Sequence, residues 1–476
     1  MEILCRIFSR TLDAPTLPFA PPHLSHHQKN LELLRITAVC THWRSTASQY
    51  AMFWTTIMFS TSRPSTIQCA SLFLSRSKGA MLSVHILDSG DTEDPAVVRA
   101  FGDLLETIVG QAYRISSCEL SSASLKFWSY WTFPAPNLRR LVTGGYGSEI
   151  PSIFNGEIPR LETFTTRCYV PWTLGNYPFL READLRNNNQ AVTLSLLLDS
   201  LRGCKNLERL SLCGYTSMYR GDLPLTPVSL PRLRQLNIFS SNSTLILEHL
   251  NAPSLTGPVV IFDTSPHYHI LRSLPKTKAD PPYLQGIKKL HLVLNAGSAQ
   301  HYVVGFREDG STAFYIGACG TESRMLARQS WVDASIEAVT TCAHFTRINS
   351  LVFATDSPEV AWDLWLPALG HLEVLNVACP RSQDLLTTLT VSSQANGLPV
   401  CPSLHSLALQ RCGAHAAANH VRLMNLVLSR YRVERPIRKL KLQKDEWDAI
   451  QRRNESWGKF VQSQGACCEL GRHGHH

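Results

Sequence analysis

The sequence predicts an α/β solenoid, in which one strand and one helix repeat many times, behind a small helical N-terminal segment. Three observations lead to this prediction. The chain has 476 residues, several times the length of a domain with a single core. The phrase Leu-x-x-Leu-x-Leu recurs between Ile115 and Leu442, and helical patterns lie between its copies. The first 57 residues lack the phrase and show helical spacing instead.

The copies share apolar residues at the first, fourth and usually the sixth position. They begin at Ile115, Leu138, Leu161, Leu180, Leu207, Leu233, Ile287, Ile348, Leu372, Leu404 and Ile437, with a weaker copy at Leu82 and an eroded one near Leu255. The steps range from 19 residues (Leu161 to Leu180) to 33 (Leu404 to Ile437). Leucine-rich repeats are about 20–29 residues long. The spacing therefore predicts an irregular leucine-rich-repeat horseshoe over residues 67–442.

The phrase has a mechanical meaning. Its last two apolar positions are two residues apart, so both side chains point to the same face of a strand. Helical patterns at Ala96–Val109, Val192–Leu201 and Asp384–Val391 supply the return segments. One strand and one helix cannot bury their own apolar faces, whereas stacked neighbours can. The alternative, unrelated strands in an α/β domain, does not account for the recurrence of Pro-x-Leu-x-x-Leu.

One step is 61 residues long, from Ile287 to Ile348, and suggests an insertion. Asp309-Gly310 lies between two β-rich runs, which predicts a hairpin near residues 299–318. Residues 443–476 form the C-terminal region. Trp447, Ile450, Trp457 and Val461 predict a helix that caps the open end of the array, and we expect the residues from Gly465 onward to be disordered.

The N-terminal segment predicts two helices. Apolar residues four apart favour a helix over Met1–Leu12, and a second pattern covers Leu31–Ala47. The proline-rich stretch Asp13–Lys29 between them predicts a loop, whose histidines we read as exposed and not as metal ligands. Phe53, Trp54 and Ile57 share one side if their segment is helical.

These residues resemble the F-box motif, which reads Leu-Pro-x-Glu-Ile-Leu-x-x-Ile-Phe, then Val-Cys-x-x-Trp-Arg, then Leu-Trp-x-x-Ile. The chain has Glu2–Phe8 (EILCRIF), Val39–Arg44 (VCTHWR) and Phe53–Ile57 (FWTTI) in the same order. Two departures are the long first loop and the missing Leu-Pro, so we read the motif over 1–57 as truncated at its N-terminus. The alternative is a helical cap of the solenoid that has no partner.

The resemblance implies a substrate-recognition adaptor of a Skp–cullin–F-box ubiquitin ligase, which is not itself an enzyme. Its partners would be a Skp-type adaptor, a cullin bound through that adaptor, and a protein target of unknown identity. The residues implied to form the F-box core and its adaptor-facing surface are Ile3, Leu4, Ile7, Phe8, Val39, Trp43, Phe53, Trp54 and Ile57. The rival interpretations are a leucine-rich-repeat scaffold without a ligase role and a nucleic-acid-binding solenoid that uses the basic stretch Arg432–Lys444.

The target surface is predicted from strand geometry. Residues that flank the second leucine of each phrase point away from the core and line the concave sheet. They include Arg140, Glu182, Asp184, Arg209, Gln235, Asn237, Lys289, His291, Asn376, Lys439 and Lys441. An acidic target patch that meets Lys439 and Lys441 is the first hypothesis, and recognition by the 299–318 hairpin is the second.

Composition and motifs exclude several classes. The net charge of +9 is mild for this length and favours a solvated repeat face over a nucleic-acid site. No hydrolase, phosphate-loop, zinc or dinucleotide motif is present, so we expect no catalytic residues, cofactor or metal. No apolar run is long enough to span a membrane, and the first residues do not resemble a secretory signal. We therefore expect a cytoplasmic or nuclear protein whose 14 cysteines are reduced.

Overall fold

The structure, a computed structural model, describes residues 2–12, 22–88, 94–122, 125–144, 153–167, 174–186, 192–214, 218–219, 226–240, 243–263, 282–295, 300–319, 345–357, 360–390, 399–410, 416–443 and 467–471. It is a mixed α/β fold with mostly parallel strands. The chain divides into two compact units. Unit 1 contains Met1–Leu233 with His249–Ala252, and unit 2 contains Arg234–Glu248 with Pro253–His476.

Unit 1 begins with three helices and a 3-10 turn. They are α1 (Glu2–Leu12), α2 (Pro22–Val39), α3 (Thr41–Gln49) and the turn Ala51–Trp54. The predicted helix over Met1–Leu12 is confirmed. The loop predicted over Asp13–Lys29 is wrong from Pro22 onward, because proline is well tolerated in the first turn of a helix.

The predicted helix over Leu31–Ala47 is also wrong in one respect, since it is divided at Cys40. That residue is extended (φ −158°, ψ 168°), and its Sγ accepts a hydrogen bond from the Trp43 amide at 3.4 Å. Cys40 is therefore the N-cap of α3. Ile57 lies in a strand and not in a helix, so the helical alternative for Phe53, Trp54 and Ile57 fails.

The sheet of unit 1 is parallel, and its strands pair in the order β1–β2–β3–β4–β5–β6–β8. Short parallel pairs, β7 with β9 and β10 with β12, accompany it. The strands are β1 (Thr56–Ser60), β2 (Leu82–Asp88), β3 (Ile115–Ser122), β4 (Arg140–Gly144), β5 (Thr163–Thr166), β6 (Glu182–Arg186), β7 (Val192–Thr193), β8 (Arg209–Cys213), β9 (Met218–Tyr219), β10 (Val228–Ser229) and β12 (Leu250–Asn251).

Helices and 3-10 turns return the chain between these strands. They are α4 (Pro64–Arg76), α5 (Pro95–Val109) and α6 (Leu194–Arg202), with the turns Ala112–Arg114, Leu125–Tyr130, Ile153–Gly156 and Leu174–Asn176. The helical predictions over Ala96–Val109 and Val192–Leu201 are thus confirmed, although β7 takes the first two residues of the latter. Phe59 on β1 contacts Phe101 on α5 (ring centroids 5.0 Å apart), so the helices cover the apolar face of the sheet. We refer to the opposite face as the outer face.

The Pro-x-Leu part of the phrase forms a β-turn before each strand. The amide of Leu138 donates to the carbonyl of Ala135 at 3.1 Å, and equivalent bonds precede Leu161, Leu180 and Leu372. Proline often occupies the second position of such a turn, where its fixed φ is suitable. It does so at Pro136, Pro159 and Pro178. This explains why proline accompanies the leucines although it cannot enter the strands.

Unit 2 contains a second sheet, in which strands pair in the order β11–β13–β16–β15–β14–β17–β18–β19–β20–β21. All neighbours are parallel except β15, which is antiparallel to both β14 and β16. The strands are β11 (Gln235–Phe239), β13 (Val259–Asp263), β14 (Ile287–Asn295), β15 (Gln300–Arg307), β16 (Thr312–Cys319), β17 (Ser350–Thr355), β18 (Val374–Ala378), β19 (Ser406–Gln410), β20 (Lys439–Gln443) and β21 (Cys467–Gly471).

The helices of unit 2 are α7 (Ser243–Glu248), α8 (Trp362–Trp365), α9 (Gln383–Thr390) and α10 (Ala416–Arg432), and the 3-10 turns are Pro282–Leu284, Phe345–Arg347 and Leu366–Ala368. The predicted helix over Asp384–Val391 corresponds to α9. Phe353 of β17 packs against Trp362 and Trp365 of α8, with ring centroids 5.0 and 5.4 Å apart. The helix-covered face is therefore apolar in this unit as well.

The predicted hairpin is confirmed as β15 and β16. Gly310 adopts a left-handed conformation (φ 79°), and Asp309 Oδ1 accepts a hydrogen bond from the Ser311 amide at 2.8 Å. The predicted capping helix from Trp447 to Val461 lies outside the described residues. Strand β21 forms where we expected a disordered end, because its backbone pairs with β20.

Each unit contains one buried arginine that binds main-chain carbonyls of a tight turn. Arg114 donates to the carbonyls of Ala80 (2.8 Å) and Lys78, and Arg430 donates to those of Cys401 (2.8 Å) and Val400. Lys78 and Cys401 both have positive φ, 50° and 52°. The guanidinium groups thus satisfy carbonyls in turns whose backbone is strained for a residue other than glycine.

Candidate protein-binding surfaces

The first helix presents apolar side chains to solvent on one side and to the protein on the other. Cys5 and Phe8 are buried, whereas Ile3 is 75% exposed and Ile7 is 47% exposed. Ile3 and Ile7 are four residues apart and therefore share one side of α1. Val39, at the end of α2, is 62% exposed. Exposed apolar groups of this size mark a surface that a partner can cover.

Aromatic contacts hold the N-terminal helices together. Phe8 makes edge contacts with Trp43 on α3 and with Phe53 in the following turn, at ring-centroid distances of 5.1 and 6.1 Å. The N-cap at Cys40 allows the chain to turn so that Trp43 reaches Phe8. The exposed side of α1 is therefore fixed by its buried side.

The structure divides the predicted F-box residues into three groups. Ile3, Ile7 and Val39 are exposed; Leu4, Trp43 and Phe53 are half-buried; Phe8, Trp54 and Ile57 are buried. Trp54 contacts Phe73 of α4 (4.9 Å between ring centroids), and Arg76 lies over its ring. Trp54 and Ile57 thus belong to a core that continues past residue 57, so this residue does not separate two cores.

The predicted target-binding residues of unit 1 lie on its outer face and pair with one another. Arg209 binds Glu182 on the neighbouring strand, and Arg186 binds Asp184 at 3.0 Å. Arg140 is exposed on β4, in register with Thr163. A partner that used these acids would have to displace existing ion pairs. This face is therefore polar and largely satisfied by its own charges.

A further row of charges lies where the strands begin. Arg139 faces Glu162 at 3.5 Å, and Arg181 faces Glu208 at 3.9 Å. The backbone amides of Glu162, Arg181 and Glu208 bond from strand to strand in the same row. Opposite charges on adjacent strands fix the register of the sheet, which is a structural function.

Ser83, His85 and Glu119 form a hydrogen-bonded relay on the outer face of unit 1, which the motif search missed because the residues come from two strands. His85 Nε2 lies 3.0 Å from Ser83 Oγ, and Nδ1 lies 3.0 Å from Glu119 Oε2. This order is that of a nucleophile, base and carboxylate. Acyl transfer also needs amide donors for an oxyanion. The Ser83 amide instead donates to the Thr55 carbonyl at 2.9 Å.

The remaining predicted target-binding residues lie on the outer face of unit 2. They are Gln235, Asn237, Lys289, His291, Asn376, Lys439 and Lys441. Lys441 of β20 is in register with Glu469 of β21. A described strand of the chain itself thus lies beside the two lysines that we expected an acidic target to meet.

Aromatic side chains on the same face were not predicted as binding residues. Phe239, Phe262, Tyr302, Phe306 and Tyr315 lie between the polar positions of β11, β13, β15 and β16, and we call these five residues the aromatic band. The Leu-x-x-Leu-x-Leu frame does not extend into β13, β15 and β16, so it could not assign their faces. The strict alternation in residues 302–306 was the available signal.

The titratable side chains of the described residues give no sign of a reactive centre. Burial raises the pKa of the Cys118 thiol and raises that of Cys204 to about 12, so these thiols are protonated near neutral pH. Burial, and secondarily Lys289, lowers the pKa of His291, which favours a neutral ring. Within the described part of the chain, no group of three or more His, Cys, Asp or Glu residues could hold a metal ion.

The described helices include none that is long and apolar enough to cross a membrane. Comparison of the chain with protein-family models gives no match, and comparison with curated proteins gives none either.

Proposed function

We propose that this chain is the substrate-recognition subunit of a ubiquitin ligase of the Skp–cullin–F-box type. Its N-terminal helices would bind a Skp-type adaptor, and its sheets would bind a protein target. In this function the chain carries out no bond chemistry and contributes proximity, which lowers the barrier of a bimolecular step by several kcal/mol.

The observation that carries the proposal is the exposure of Ile3 and Ile7 on a helix that Phe8 anchors. Both exposed residues lie within the segment EILCRIF, which matches the first block of the F-box pattern. Covering a large aliphatic side chain contributes about 1.5–3 kcal/mol. A partner that covered both residues would gain substantial free energy without any rearrangement of the helices.

The fold is consistent with target binding by a repeat array. We propose that the parallel strands and the turns that precede them are irregular leucine-rich repeats arranged as a solenoid. Repeat arrays offer long continuous sheet faces, and such faces are where they usually bind partners. The rival function, a scaffold without a ligase role, has the same fold but does not bind the adaptor.

Replacing Ile3 and Ile7 together by aspartate is expected to abolish adaptor binding. Two buried aliphatic contacts would be lost and two charges desolvated, so we expect affinity to fall at least ~100-fold. The free chain should stay folded, because both side chains are exposed and the substitution costs no core packing. Calorimetric titration of the full-length variant with a purified Skp-type adaptor measures the effect.

The control is Leu364→Asp, which introduces the same charge at a side chain on α8 that is 70% exposed. This variant should bind the adaptor with wild-type affinity. Equal affinity of the Ile3→Asp/Ile7→Asp variant would exclude α1 as the adaptor surface. A wild-type chain that does not bind the adaptor would support the scaffold function instead.

A further inference from the structure

The outer faces of the two units differ in chemistry. The face of unit 1 carries paired charges such as Arg209–Glu182 and Arg186–Asp184. In unit 2, one register row is apolar from strand to strand over seven neighbours. This row contains Phe239, Phe262, Gly317, Tyr302, Val293, Ala354 and Ala378. Sheet faces that are not covered by helices normally alternate toward polar residues, so the apolar row calls for a functional explanation.

Contacts within the aromatic band show how the row is built. The rings of Tyr302 and Tyr315 are stacked, with centroids 5.8 Å apart, and those of Phe239 and Phe262 are 6.1 Å apart. Gly317 provides the space between them, because a Cβ atom there would lie 2.8 Å from the Tyr315 ring and 3.0 Å from that of Phe262. The rings therefore lie against the sheet and form a continuous platform.

The inserted strand is essential to this platform. Strand β15 contributes Tyr302 and Phe306 and places them between β14 and β16. Phe306 in turn contacts His291 (ring centroids 4.7 Å apart) and lies under the Lys289 ammonium, 5.6 Å from its ring centroid. A cation is thus held at the margin of the apolar row.

The charge of this face has one sign where side chains are described. On β11 and β13–β19, the described outer-face side chains include Lys289 and no carboxylate. Glu308 and Asp309 of the hairpin lie in its turn and not on the strands. The face therefore favours an apolar ligand with negative charge beside it.

The dimensions of the row favour a single extended chain. Neighbouring strands are about 4.8 Å apart, so seven strands span about 29 Å. An extended peptide covers that distance with about nine residues. A strip about 10 Å wide would bury about 300 Å², much less than the ~800 Å² per partner of a stable protein–protein interface. A second copy of this chain is therefore a poor occupant.

We propose that the aromatic band and its row bind an extended segment of a target protein, with apolar side chains on the rings and acidic residues beside Lys289. The inference rests on the proposed function, because it specifies what the target-binding surface recognises. It moves target recognition from Lys439 and Lys441 to the strands around the hairpin.

The test is selection of peptides from a displayed random library of twelve-residue peptides on the full-length chain. The wild-type chain should enrich peptides that combine aromatic or aliphatic residues with Asp or Glu. The affinity of an enriched peptide, measured by fluorescence anisotropy, should fall at least ~10-fold for Tyr302→Ser. Lys289→Glu leaves the rings in place and should shift the selection toward basic peptides.

The matched control is Arg209→Ala/Glu182→Ala, which removes an exposed ion pair from the outer face of unit 1 and should leave the selected peptides unchanged. Enrichment that does not depend on Tyr302 or Lys289 would overturn the proposal. So would a dimer in sedimentation analysis that Phe239→Ser dissolves, or binding of single-stranded RNA at this face. Peptide selection without adaptor binding would refute the ligase function alone, and the reverse result would refute this site alone.

Discussion

Replacing Trp54 by alanine is expected to destabilise the sheet of unit 1 and not only the N-terminal helices. The side chain is fully buried, contacts Phe73 of α4, and donates from Nε1 to the Ala47 carbonyl at 2.8 Å. Truncation of a buried tryptophan costs about 3–5 kcal/mol, because packing is lost and a cavity remains. Ala47 would also lose the hydrogen bond to its carbonyl.

Hydrogen exchange measured by mass spectrometry locates this effect along the chain. In Trp54→Ala we expect protection to fall in α1–α3 and also in β1, β2 and α4, with β17–β19 unchanged. Trp43→Ala is the comparison, since this half-buried ring makes an edge contact with Phe8 and its loss should cost only about 1–2 kcal/mol. Loss of protection confined to residues 2–54 would show that the helices are a separate module.

The strands were predictable because their signal is local and periodic. In Leu207–Leu212 and Leu372–Val377, apolar residues at the fourth and sixth positions are the ones that the helices cover. The preceding turns were also encoded, by Pro136, Pro159 and Pro178. Local rules are sufficient here, because alternation fixes which face each strand buries.

The helix boundaries depended on features that the pattern does not contain. Apolar spacing over Leu31–Ala47 fits one helix, yet the chain is extended at Cys40. Cysteine is not among the favoured N-cap residues, so its capping function could not be read from residue preference. The start of α2 at Pro22 was missed because four prolines nearby favoured a loop, although the first turn of a helix tolerates one.

The candidate sites depended on register, which one strand alone does not determine. The polar positions Glu182, Asp184 and Arg209 were assigned to the correct face, but not their pairing across strands. The aromatic band escaped prediction because its residues come from four strands that follow no common phrase. Only the pairing of β15 with β14 and β16 brings Tyr302 and Phe306 next to Tyr315 and His291.

Arg430 is the buried charge whose loss we expect to cost most in unit 2. The side chain is fully buried, and burial lowers its pKa to about 10. Its guanidinium binds the carbonyls of Val400 and Cys401, in the turn that precedes β19. In Arg430→Ala both carbonyls lose a charged donor and a cavity opens beside α10. We expect the free energy of unfolding to fall by on the order of 3 kcal/mol.

Two comparisons isolate the cause. Arg432→Ala removes an exposed arginine from the same helix and should change stability by no more than about 0.5 kcal/mol. Arg430→Met fills the site without donors, so its stability reports the two hydrogen bonds separately from the cavity. The deficit of Arg430→Ala in urea unfolding should be constant between about pH 6 and 9, because the guanidinium is protonated in both states below its folded pKa. Above about pH 10 the folded state binds fewer protons than the unfolded state, so wild-type stability should rise relative to the variant. A deficit no larger than that of Arg432→Ala would show that the turn at Val400 and Cys401 does not depend on the arginine.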